Sequence, residues 1–162
     1  MSLVGARRHL EGVTVELIGG MSGAAEAGVG PLADWLEARW RETAMIAISG
    51  RAGASVLAEA LVFRGVPRRV IHVVSTGEYF DACALSLDAV RDRTLSHVAT
   101  EGQAVLDASV AVCDKKNRGA GGAWGWVSTS PEGDETPVEG MSLAHWAART
   151  TKRVPGRKQV LL

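Results

Sequence analysis

One stretch, residues 44–61, constrains the fold of this chain more than any other. It begins with the apolar run Ala44-Met45-Ile46-Ala47-Ile48 and passes through the glycine-containing turn Ser49-Gly50-Arg51-Ala52-Gly53. It continues with apolar residues at helical spacing, which are Val56, Leu57, Ala60 and Leu61. A strand that is apolar on both faces, followed by such a turn and a helix, is typical of a central strand in an α/β sheet. The turn is then at the carboxyl end of the strand, where ligands collect in open α/β sheets.

Further strand and helix patterns alternate around this unit. Strands are predicted at 13–18, 69–74 and 123–128, helices at 31–41, 53–63, 75–91, 101–113 and 137–149, and a strand or turn at 94–98. Residues 1–12 show no clear periodicity and are predicted to be irregular. Residues 114–122 are predicted to form a charged, glycine-rich loop. This order favours a mixed α/β sheet flanked by helices on both faces.

Length, composition and charge limit the class of protein. The 162 residues, 46% of them hydrophobic, predict one soluble domain over residues 1–150 and a flexible basic tail at 151–162. Because the formal net charge is zero, any contact with nucleic acid must come from a local basic patch. Cys83 and Cys113 match no metal motif and are predicted to be reduced, buried thiols. No apolar run reaches the roughly 18 residues that a membrane span needs, so we expect no membrane contact and a cytoplasmic location.

The glycine turn after the central strand invites a phosphate-binding interpretation. Residues 49–55 lack the Gly-Lys-Ser/Thr ending of a phosphate loop and the GxGxxG spacing of a dinucleotide site. A tight strand-to-helix turn is therefore the favoured interpretation, and an anion held by the helix amides with the help of Arg51 is the alternative. Ser49 lacks the GxSxG elbow of a nucleophile, and no histidine is linked to it by sequence.

Carboxylates cluster before and in the last predicted helix. Asp134, Glu135 and Glu139 bracket its start, and Thr136 with Glu139 has the spacing of a capping box. The alternative interpretation is that Asp134 or Glu139 supplies one ligand to a Mg²⁺ or Mn²⁺ pair, because hard divalent ions need clustered carboxylate oxygens. Such a site also needs carboxylates from the ends of neighbouring strands.

Basic residues cluster in the predicted loop and in the tail. Lys115, Lys116 and Arg118 stand beside the predicted strand that carries Trp124 and Trp126. Such a cluster is either a solvated surface or a set of contacts to nucleic-acid phosphates that read no sequence. The two tryptophans are predicted to pack in the protein rather than to stack on bases.

Several segments together resemble the C-terminal nuclease domain of the phage terminase large subunit. They are Leu87–Val90, Leu106–Val110, Lys115–Arg118, Gly122–Trp126 and Thr136–Ala144. The resemblance implies a ribonuclease H-like fold and a Mg²⁺- or Mn²⁺-dependent endonuclease that cuts concatemeric double-stranded DNA during genome packaging in the host cytoplasm. It implies double-stranded DNA as a partner, with the terminase small subunit or the portal protein as further partners. The Walker motifs of the ATPase half are absent, which indicates a nuclease-domain piece or a prophage remnant with its first strand missing.

The metal ligands implied by this resemblance transfer to the chain only in part. The first carboxylate of the family falls upstream of Val13, the second falls on Ser49, which is neutral, and the third falls on Asp134 or Glu139. Lys115, Lys116, Arg118 and Arg51 are the candidate contacts to DNA. The alternatives are therefore an endonuclease, its inactive remains, a non-catalytic module of the same fold that binds DNA or a packaging protein, and an unrelated small-molecule α/β enzyme with an apolar pocket near Ser49.

Overall fold

The computed structural model of the chain describes residues 1–20, 28–50, 53–118 and 121–155. These residues fall into two compact units, one formed by Met1–Ser22 and Ser75–Arg149 and the other by Gly23–Val74 and Thr150–Leu162. A compact unit need not be an independent domain, and the single domain expected over residues 1–150 stays a prediction.

The described residues contain strands and helices in mixed order, which confirms the α/β class. The strands are β1 (Ser2–His9), β2 (Gly12–Gly20), β3 (Ile46–Ile48), β4 (Ile71–Val73), β5 (Leu95–His97), β6 (Cys113–Asn117) and β7 (Trp124–Ser128). The α-helices are α1 (Gly30–Glu37), α2 (Ala54–Phe63), α3 (Thr76–Arg91), α4 (Ala104–Val112) and α5 (Thr136–Thr150). No helix in the described part of the chain is long and apolar enough to cross a membrane.

The first unit is built on a mixed sheet in the order β1-β2-β5. Strand β1 runs antiparallel to β2, and β5 runs parallel to β2. Alternation along β2 buries Val13, Val15 and Leu17 and leaves Glu16 and Ile18 exposed. The buried side chains pack in a core with residues of α3, α4, α5 and β7, namely Cys83, Leu106, Val138, Met141 and Trp126. The exposed face of β2 differs from the prediction that helices flank both faces of the sheet.

The prediction that residues 1–12 are irregular is wrong, because residues 2–9 form β1. The second half of this strand, from Ala6 to His9, is exposed and includes Arg7 and Arg8. An edge strand of this kind is held by its backbone ladder to β2 and shows no apolar alternation that could identify it.

Gln103 closes the end of the sheet where β5 stops. The side-chain oxygen of this buried residue accepts a hydrogen bond from the Leu17 amide at 2.8 Å, and its side-chain nitrogen donates to the Leu17 carbonyl at 3.3 Å. The glutamine thereby pairs with β2 as a further strand residue would, which satisfies two buried backbone groups.

The second unit contains the strand and the helix on which the sequence prediction was centred. Strand β3 runs parallel to β4, and α2 packs on both strands and on α1. The buried residues of α2 recur at helical spacing, at Ala54, Leu57 and Leu61. Ser49 follows the end of β3, whereas Arg51 lies outside the described residues. In the tail, residues 151–155 form no helix or strand, and Arg153 donates a hydrogen bond to the Thr43 carbonyl.

Helix α3 begins at a capping box formed by Ser75 and Glu78. The Ser75 hydroxyl accepts a hydrogen bond from the Glu78 amide, and the Glu78 carboxylate accepts one from the Ser75 amide. The helix ends where Arg93 adopts a left-handed conformation at φ 58° and the Thr94 amide bonds back to the Ala89 carbonyl.

The prediction of a loop from residue 114 is also wrong, because residues 113–117 form β6. This strand pairs with β7 in an antiparallel ribbon, with Lys115 opposite Trp126 and Asn117 opposite Trp124. Strand β6 was missed because four of its five residues are exposed and polar, so only its partner strand fixes its conformation.

Candidate nucleic-acid interface

The ribbon of β6 and β7 distributes the predicted basic residues over two faces. Successive side chains of a strand point to opposite sides, so Lys115 shares a face with Asn117 and Trp124, while Lys116 points to the other face. The ladder continues past β6 because the Arg118 amide donates to the Ala123 carbonyl at 2.8 Å, which places Arg118 on the side of Lys116. All three basic side chains belong to exposed residues.

Lys115 lies over an aromatic ring. Its ammonium nitrogen is 4.6 Å from the centroid of the Trp124 ring, a cation–π distance. The Trp124 and Trp126 rings make an edge contact with centroids 5.0 Å apart. Trp126 is buried and its indole nitrogen donates to Ser142 at 2.9 Å, whereas Trp124 is half-buried. Trp126 belongs to the core and Trp124 packs against it, so the prediction that both tryptophans pack in the protein is confirmed.

The opposite face of the ribbon contacts Tyr79, which lies one turn into α3. A Cβ atom at Gly125 would be 2.8 Å from the Tyr79 ring, so this position requires glycine. The Tyr79 hydroxyl accepts a hydrogen bond from the Trp126 amide at 3.3 Å and donates one to Glu139 Oε1 at 2.5 Å. Tyr79 thereby connects α3, β7 and α5 at one point.

Glu139 is a half-buried carboxylate with other charges nearby. Burial raises its pKa, the hydrogen bond from Tyr79 lowers it, Glu135 raises it and Arg118 lowers it. Burial and the neighbouring Glu139 raise the pKa of Tyr79, so its hydroxyl stays protonated and remains the donor.

The two cysteines are free thiols close to this region. Burial raises the pKa of Cys83 to about 11, and burial also raises the pKa of Cys113. The expectation of two reduced thiols holds, although Cys113 is half-buried rather than buried. Thiols that stay protonated at neutral pH are poor nucleophiles.

Asp134 caps the last helix. Its two carboxylate oxygens accept hydrogen bonds from the Thr136 amide at 2.8 Å and the Thr136 hydroxyl at 3.0 Å. The capping box expected between Thr136 and Glu139 is wrong, because the Glu139 carboxylate bonds to Tyr79 and its amide donates to the Glu135 carbonyl. Ser109 adds a second cap, since its hydroxyl accepts from the Val138 amide at 3.3 Å.

The carboxylates of the described residues do not form a complete ligand set for a divalent metal pair. Asp134 and Glu139 come together at the start of α5, as expected, but both oxygens of Asp134 and one of Glu139 are already hydrogen-bonded. Across the described residues, no group of three or more His, Cys, Asp and Glu side chains could hold a metal ion. Ser49, the position of an expected ligand, belongs to the other compact unit.

Sequence spacing did not identify Tyr79 as part of this region, because it is 60 residues from Glu139. The one local signal was Gly125 between two tryptophans, which marks a close approach of another group to the strand. Comparisons with protein-family models, with curated proteins and with solved structures gave no match.

Proposed function

We propose that this chain binds nucleic acid through its phosphate backbone, and that the ribbon of β6 and β7 is the contact surface. The supporting observation is the placement of Lys115, Lys116 and Arg118 on and just after the exposed strand β6, with side chains on both of its faces. Arginine and lysine side chains make most protein contacts to phosphate, and such contacts need no base-specific geometry.

The geometry favours binding over cleavage. The three basic residues are exposed, although Lys115 lies over Trp124 and Arg118 donates to the Trp126 carbonyl at 3.3 Å. The nearby carboxylates are engaged by Tyr79 and by the helix cap. The non-catalytic module is therefore the leading proposal.

Fluorescence anisotropy of labelled single-stranded and duplex DNA at increasing salt tests the proposal. Three phosphate contacts predict a slope of log K against log salt of about −2 to −3. Replacing Lys115 and Lys116 with glutamine should weaken binding by about tenfold at low salt. The same change should flatten the slope by roughly one to two units, because each of the two lysines neutralises one phosphate.

A matched control removes two positive charges from another part of the protein. Arg68 and Arg69 are an exposed pair in the second unit, and their double glutamine variant should bind as the wild type does. Equal losses from both double variants would contradict the proposal, because they would show that binding follows net charge rather than the ribbon.

The second candidate is the metal-dependent cleavage of double-stranded DNA implied by the terminase resemblance. It is supported by Asp134, Glu135 and Glu139, which lie near enough to one another that the first two raise the pKa of Glu139. The mixed α/β architecture is compatible with the ribonuclease H-like fold that this proposal includes. The test is nicking of supercoiled plasmid with Mn²⁺. Nicking that is lost with EDTA, and lost in a combined Asp134→Ala and Glu139→Ala variant, would support the cleavage proposal. No nicking by the folded protein would refute it.

A further inference from the structure

We infer that the Lys115 face of the ribbon binds single-stranded nucleic acid, with an unpaired base stacked on Trp124. This inference rests on the proposed function and names its ligand class. The site consists of Trp124 as the stacking surface, Lys115 as the phosphate contact and Asn117 as an exposed amide beside them.

The position of Lys115 shows that one face of the Trp124 ring opens toward solvent. Lys115 is an exposed residue, yet its ammonium lies over the ring at 4.6 Å from the centroid. Trp124 packs against the core with part of its surface, and the flexible side chain of Lys115 covers the ring from one side. When Lys115 turns to a phosphate, it uncovers that face for a base, which replaces the cation–π contact with a stacking contact.

Asn117 adds a group that can hydrogen-bond to a base. It lies opposite Trp124 in the ribbon and on the same face, so its amide borders the ring. In the described residues no hydrogen bond engages this side chain. A base stacked on Trp124 would present its edge to an amide that can both donate and accept.

A single strand fits this arrangement better than a duplex. In a duplex each base is already stacked between its neighbours, so a lone tryptophan beside the backbone has no base face to contact. An unpaired base can leave the strand stack and lie on an aromatic ring, while its flanking phosphates remain close to a lysine.

The direct test measures the affinity for two labelled strands of about 12 nucleotides with the same number of phosphates. One strand is oligothymidylate, and the other is an abasic deoxyribose-phosphate strand. Stacking of one base predicts that wild-type protein binds oligothymidylate about 5- to 150-fold more tightly. Trp124→Leu should remove this preference, whereas Trp124→Phe should retain most of it. Circular dichroism and thermal unfolding confirm that each variant is folded.

Trp40→Leu is the matched control, because Trp40 is also half-buried and lies under a cation, with Arg41 at 4.9 Å from its ring centroid. It should leave the preference for oligothymidylate unchanged. Equal binding of both strands by the wild type would overturn the inference and leave phosphate binding intact. Failure to bind either strand would overturn the inference together with the proposed function.

Discussion

Removal of the Tyr79 hydroxyl is the sharpest test of how the region around the ribbon is held together. Tyr79→Phe deletes the donor to Glu139 and the acceptor of the Trp126 amide without changing the shape of the ring. A hydrogen bond to a charged group contributes about 1.5–3 kcal/mol, and Glu139 is only half-buried, so the lower part of that range applies. With the second bond included, we expect a loss of about 2 kcal/mol in the free energy of unfolding.

Urea denaturation followed by circular dichroism at pH 7 measures this loss, with the slope against urea expected to stay unchanged. For a chain of this length, the same loss lowers the melting temperature by about 4–8 °C. Ser96→Ala serves as the control, because it deletes a hydroxyl on an exposed residue that bonds to Thr14 at 3.0 Å. It should change stability by less than about 0.5 kcal/mol. A Tyr79→Phe variant as stable as this control would refute the proposed role of the hydroxyl.

The pH dependence of the same pair gives a second measurement. Burial raises the pKa of Glu139 in the folded state, so the folded protein holds this proton more strongly than the unfolded chain does. Stability should therefore fall as pH rises from the unfolded value, about 4.3, through the folded pKa. Glu139→Gln keeps an acceptor for Tyr79 and has no proton to lose, so this fall should disappear. If Glu139→Gln showed the same fall between pH 4 and pH 7 as the wild type, another group would have to cause it.

Three further predictions concern packing and burial. Gly125→Ala should lower the free energy of unfolding by about 1–3 kcal/mol, because its Cβ would meet the Tyr79 ring at 2.8 Å. In the same urea titration, the control Gly77→Ala should raise the free energy of unfolding by about 0.5–1 kcal/mol, because its Cβ would meet nothing within 4 Å. Cys83, with its pKa raised to about 11, should remain unmodified by iodoacetamide at pH 8 while the protein is folded, as mass spectrometry would show. His145 is buried, neither ring nitrogen has a hydrogen-bond partner in the described part of the chain, and burial lowers its pKa. Stability should fall as pH drops below about 6.5, and His145→Leu should reduce that fall.

Local signals in the sequence identified those elements whose conformation depends on nearby residues. Strand β3 and helix α2 followed from apolar spacing, and helix α3 was predicted at nearly the range that the structure shows. Strands β1 and β6 were missed because exposed, charged residues occupy much of each, and their partners in β2 and β7 supply the backbone bonds that extend them.

The candidate site was predictable to the same limited extent. Asp134 and Glu139 come together because they flank the first turn of one helix, which sequence spacing shows. Their hydrogen-bond partners could not be read in this way, because Tyr79 approaches Glu139 from a distant helix. The chemistry of a carboxylate depends on such partners, so a pattern of acidic residues predicted a location better than it predicted a metal site.

The carboxylates beside the ribbon also bear on which of its faces meets phosphate. Arg118 lowers the pKa of Glu139, so the two charges attract each other, and a phosphate that approaches Arg118 must compete with that carboxylate. Glu135 and Asp134 also raise the pKa of Glu139, so they add negative charge near it. Lys115 points to the other face of the ribbon, where its neighbour is the neutral ring of Trp124. A phosphate that binds Lys115 displaces only a cation–π contact, whereas one that binds Arg118 must compete with a carboxylate, so Lys115 and the stacking surface favour the same face of the ribbon.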